Sequence, residues 1–79
     1  MKNYPTKQVI TVSVFRTNIQ VKDRITLSSI LNKIPSVQKW NTDLEDFDKI
    51  LRIESFEDIA ETIINILSHH GFQIEELED

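Results

Sequence analysis

"QVITVSVFRTNIQVKDRITLSSILNKI", residues 8–34, changes its hydrophobic period partway through. In "QVITVSVF", residues 8–15, Ile10, Val12 and Val14 alternate with Thr11 and Ser13. A period of two in β-branched residues predicts a strand over about residues 8–16 with one buried face. In "RITLSSILNKI", residues 24–34, Leu27, Ile30, Leu31 and Ile34 fall at i, i+3, i+4 and i+7, one apolar stripe of a helix over 21–34. Pro35 stops it. A strand feeding a helix through a polar hinge, residues 16–24, opens an α+β fold, and such a hinge is a common ligand position.

The rest of the chain completes the pattern. "SVQKWNTDL", residues 36–44, alternates again, with Trp40, Thr42 and Leu44 on one side and Lys39, Asn41 and Asp43 on the other. A strand is expected over 37–44, and its Trp40 indole N–H needs a partner or an exposed edge. "EDFD", residues 45–48, supplies turn formers, and "KILRIE" gives a third strand over 49–54 with Leu51 and Ile53 facing alike. "SFEDIAETIINILSHHG", residues 55–71, predicts a helix over 56–70. Ser55 is the expected N-cap, Asp58 the acidic half of a capping box, and Ile59, Ile63, Ile66 and Leu67 the buried stripe. Gly71, the one glycine, stands where a left-handed C-cap is needed. "FQIEEL" closes as a strand over 72–77 with Phe72 and Ile74 inward.

The order β-α-β-β-α-β predicts a ferredoxin-like sandwich, a four-stranded antiparallel sheet with both helices on one face. The expected core is Ile10, Val12, Val14, Leu27, Ile30, Leu31, Ile34, Leu44, Leu51, Ile53, Ile59, Ile63, Ile66 and Phe72. Thr11, Ser13, Asn41 and Arg52 suit the open sheet face. Residues 1–79 read as a single domain, near the lower size at which a core sustains itself.

Composition narrows function. The chain is 39% hydrophobic and 28% charged, an ordinary globular mix. With no cysteine, disulfides, thiolate catalysis and thiolate metal sites are excluded. "MKNYPTKQVI" lacks the features of a signal peptide, and no apolar run approaches the ~18 residues of a membrane span, so a cytoplasmic protein is expected. Residues 1–42 hold seven Lys/Arg and one acid, Asp23, whereas residues 43–79 hold Lys49 and Arg52 against twelve acids. The asymmetry reads either as a dipolar docking surface or as a basic helix lying beside an acidic one within the fold. An acidic chain with few aromatics to expose argues against nucleic acid.

"KWNTDLEDFDKILRIES", "FRTNI" and "LSHHGF" together resemble the heavy-metal-associated (HMA) domain family of copper chaperones and P-type ATPase metal-binding domains. "KWNTDLEDFDKILRIES", residues 39–55, is similar to the family's second hairpin. "FRTNI", residues 15–19, looks like the approach to its metal loop, and "LSHHGF", residues 67–72, like the end of its second helix. The family binds metal through a Cys-x-x-Cys pair on the first loop and helix. Anchored on "SVQKW", the pair falls on Gln20 and Asp23; anchored on "FRTNI", it falls on Val21 and Arg24. Neither pair holds a thiolate, so the resemblance implies the family's loop without its soft-metal chemistry.

Other constellations are sparse. His69 and His70 are neighbours, about 100° apart on a helix, and cannot chelate one ion as an i, i+4 pair does. "DLEDFD", residues 43–48, lacks the central glycine and distant glutamate of a calcium loop and reads as a solvated hairpin turn. One glycine and two histidines assemble no phosphate cradle or nucleophilic triad. The expectation is therefore a non-enzyme with no cofactor. It would be a protein-interaction module whose basic residues Arg16, Lys22, Arg24 and Lys33 meet an acidic partner or a second copy, without nucleic acid or membrane. The alternative is a metal-handling protein that uses oxygen or imidazole ligands.

Overall fold

Two strands form the centre of the molecule: β1 (Thr11–Thr17) and β3 (Ile50–Ser55), paired antiparallel with Phe15 opposite Leu51 and Ser13 opposite Ile53. β2 (Val37–Asp43) flanks β3, and β4 (Ile74–Leu77) flanks β1, so the sheet order is β2-β3-β1-β4 and every pairing is antiparallel. α1 (Arg24–Leu31) follows β1 through a 3-10 turn at Val21–Asp23, and α2 (Ala60–His69) joins β3 to β4. The result is a small α+β fold, a four-stranded antiparallel sheet with two helices. The computed structural model describes residues 9–78. The expected start of β1 at residue 8 lies outside them.

The core forms where both helices meet one set of strand side chains. Leu27 and Leu31 of α1, and Ala60, Ile63 and Leu67 of α2, form one buried cluster with Phe15, Ile19, Leu51 and Ile53. Ile30, Ile34, Leu44, Ile59 and Phe72 pack around it partly buried, as do Trp40 and Ile74. The Trp40 indole N–H donates a long hydrogen bond to Asn32 Oδ1 (3.4 Å).

The inward face of β1 is the opposite of the expected one. Ser13, Phe15 and Thr17 are buried, whereas Ile10 and Val12 are 40% and 45% exposed and Val14 is half-buried. The reason is the period itself: a shift of one residue exchanges the two faces of a strand. Phe15 and Ile19 share the parity of Thr17, and a phenyl ring buries more area than a valine side chain. The valine face also carries Arg16, whose guanidinium meets Asp48 and Glu75 (3.1 and 3.4 Å). Thr11 is half-buried, and Ser13 is not on the open face; Asn41 and Arg52 are exposed as expected. Ile66 is also displaced from the expected core: it lines a groove between the helices.

Both helices are shorter than the apolar pattern predicts. At the end of α1, Lys33 and Ile34 donate to the carbonyls of Ile30 and Leu31, bonds of the tighter i→i−3 kind that close the helix ahead of Pro35. Ser55 does not cap α2. It stays in β3, paired with Thr11 and Val37, and its hydroxyl donates to the Glu57 carbonyl (2.6 Å). Ile59 stands at the N-cap without a side-chain cap, and the Asp58 carboxylate accepts from the Ala60 N–H (3.2 Å).

The far end of α2 matches expectation. Gly71, at φ +91°, donates to Ser68, and Phe72 donates to Leu67 (both 3.0 Å), the pair of bonds of a Schellman motif. A Cβ at Gly71 would meet nothing within 4 Å, so Gly71→Ala isolates the conformational cost. Thermal melting should register a loss of about 1 kcal/mol. An unchanged midpoint would contradict the left-handed cap.

Candidate functional site

The hinge after β1 is stitched down on both sides. The Thr17 hydroxyl donates to the Lys49 carbonyl (2.6 Å) and accepts from the Ile19 N–H (3.1 Å), while the Thr17 N–H donates to the Asp48 carbonyl (3.1 Å). Asn18 exchanges two bonds with Gln73: its N–H reaches the Gln73 carbonyl (3.2 Å), and its Oδ1 accepts the Gln73 N–H (2.9 Å). Ile19 then plugs into the core, fully buried. The segment is anchored by two neighbouring connections, the β2–β3 hairpin and the α2–β4 turn.

Within it, Asp23 closes the turn on itself. Its carboxylate accepts from the Gln20 N–H (2.9 Å), and its own N–H donates to the Gln20 carbonyl (2.8 Å). The carboxylate therefore satisfies a helix-start donor, the role of a capping acid. Gln20, Val21 and Arg24 are exposed. Neither position pair matched to the family cysteines forms a ligand set: one offers a capped carboxylate and an amide, the other a hydrocarbon and a cation. Among the described residues no three His, Asp or Glu side chains group so as to hold a metal ion. His69 lies against its own helix, Nδ1–H donating to the Asn65 carbonyl (2.7 Å), while His70 borders the interhelical groove.

The acidic hairpin is likewise a built turn. Asp46 accepts the Asp48 N–H on its carboxylate (2.8 Å) and the Lys49 N–H on its carbonyl (3.0 Å). Lys49 adopts φ +50° and its ammonium reaches the Leu44 carbonyl (3.0 Å). Phe47 stands at the tip, 96% exposed.

The structure does not gather the four expected contact residues into one patch: Arg24 and Lys33 border different hollows. Arg16 lies apart on β1, committed to Asp48 and Glu75. Lys22, Arg24 and Lys33 are exposed on α1 and its flanks, and among the described residues they form no ion pair. Arg24 borders a hollow of about 220 Å³ beside Thr42, whose buried hydroxyl has no hydrogen-bond partner. Lys33 borders a larger groove, about 570 Å³, walled by Ile25, Ile30, Ile34 and Ile66 and lined also by His70. Sequence reasoning missed this groove. Its signal was an excess of isoleucines over one stripe: Ile25, which is 83% exposed, lies off the stripe that buries Leu27 and Leu31.

No protein-family model, curated protein or solved structure matches this chain.

Proposed function

We propose that this chain is a non-catalytic, cytoplasmic interaction domain of the HMA type, a ferredoxin-like sandwich whose thiolate metal site is lost and whose contact surface is kept. The strand order β2-β3-β1-β4 under a β-α-β-β-α-β chain order supports the sandwich. The hairpin and loop resemblances support the HMA type. One observation carries the functional reading. The metal-loop position is occupied by a self-capped turn, Asp23 on the Gln20 N–H, with exposed Lys22 and Arg24 beside it. A carboxylate used as a cap, flanked by cations, suits an acidic protein surface better than a metal cation.

Equilibrium dialysis against Cu(I), Zn(II) and Ni(II) tests the reading. The expected result is no saturable micromolar binding to any of the three. Micromolar or tighter binding of Cu(I) or Zn(II) that disappears when Gln20 and Asp23 are replaced would overturn it in favour of metal handling through oxygen ligands.

A further inference from the structure

The most exposed large apolar side chain among the described residues is Phe47, and an isoleucine-walled groove of about 570 Å³ lies between the helices of the same chain. We propose that the groove between α1 and α2 receives the β2–β3 hairpin tip of a second copy. This rests on the reading of the chain as an interaction domain and names its partner.

Charge selects the occupant. Phe47 sits among Glu45, Asp46 and Asp48, so any surface that buries the ring also meets carboxylates. The groove lining contains no acid and carries Lys33 and His70. An aromatic knob flanked by acids thus faces an apolar hole edged by Lys33 and His70. A hollow of about 570 Å³ has room for a phenyl ring and its flanking backbone.

The knob is also ordered before it binds. The Asp46 carboxylate holds the Asp48 N–H, and Arg16 holds the Asp48 carboxylate (3.1 Å). A side chain presented on a fixed turn loses less freedom on docking than one on a floppy loop. Knob and hole are different patches, so the contact is isologous only if both copies exchange knobs and heterologous otherwise. Two copies close it by reciprocal exchange, and failing that it propagates as a ring or chain.

Sedimentation velocity on the full chain, from micromolar to millimolar, tests the proposal with two variants. Phe47→Ala removes the knob and Ile25→Glu blocks the hole; both positions are exposed, so circular dichroism should show both folded. The wild type should gain mass with concentration, less so at high salt. Each variant alone should associate about tenfold or more weakly. An equimolar mixture of the two should recover a complex, because one keeps the hole and the other the knob. A wild type that stays monomeric, a Phe47→Ala chain that associates like wild type, or a mixture that forms no complex would each overturn the second copy as occupant. A monomeric wild type that also binds no metal removes this partner while leaving the interaction reading in place. Metal binding at the loop removes the reading itself.

Discussion

Phe15→Ala is expected to cost about 3–5 kcal/mol in urea unfolding, while Val12→Ala costs under about 1 kcal/mol. The two residues are three apart on one strand and lie on opposite faces. Phe15 is fully buried, paired with Leu51 at the centre of the sheet, and packed in the cluster that takes Leu27, Leu31, Ile63 and Leu67 from the helices. Removing its ring forfeits the transfer energy of the buried surface and leaves a cavity that fixed strands cannot close. Val12 is 45% exposed beside Glu54, so its truncation returns little area to water. Domains of this kind have roughly 5–15 kcal/mol in hand, so the phenylalanine variant should lose a large share of it. Equal losses at both positions would mean that β1 presents its valines inward.

Thr17→Val should cost about 1–3 kcal/mol, although it preserves shape. The hydroxyl donates to the Lys49 carbonyl and accepts from the N–H of Ile19, a fully buried residue. Valine makes neither bond, and the Ile19 N–H loses its acceptor away from water, the expensive outcome for a backbone donor. Amide exchange should accelerate locally at Ile19 and around Lys49, since the same hydroxyl joins the hinge to the hairpin. A neutral substitution with unchanged exchange at Ile19 would contradict this account of how the hinge is held.

The element order was legible because each segment repeats its period several times. Leu51 and Ile53 alternate with Arg52 and Glu54 and so could face only one way, and Gly71 marked the end of α2 without competition from another glycine. The face of β1 was not legible. Its two alternating sets were three aliphatics against one phenylalanine and three hydroxyls, and a count of apolar residues favours the wrong set. Burial of Thr17 depends on an acceptor 32 residues away, and the commitment of Arg16 depends on Glu75, 59 residues away. Such partners are set by strand register and leave no local trace. Ser55 illustrates the same competition: its local sequence fits an N-cap, but pairing with both β1 and β2 keeps it in the sheet. At the hinge, the resemblance gave Gln20 and Asp23 one role, the family metal position, and did not show that they cap the turn. The 2.9 Å bond from the Gln20 N–H to the Asp23 carboxylate is the capping arrangement.

Amide NMR of the labelled chain tests most directly the claim that this domain makes contacts and does not hold metal. Spectra would be recorded from dilute to concentrated solution, and then with stoichiometric Zn(II), or Cu(I) under reductant. The account predicts concentration-dependent shifts at Ile25, Ser29, Lys33, Ile66 and His70, together with Asp46–Lys49, and no metal-dependent shift over Gln20–Arg24. Saturable metal shifts confined to Gln20–Arg24, with the groove and hairpin amides unmoved by concentration, would contradict it.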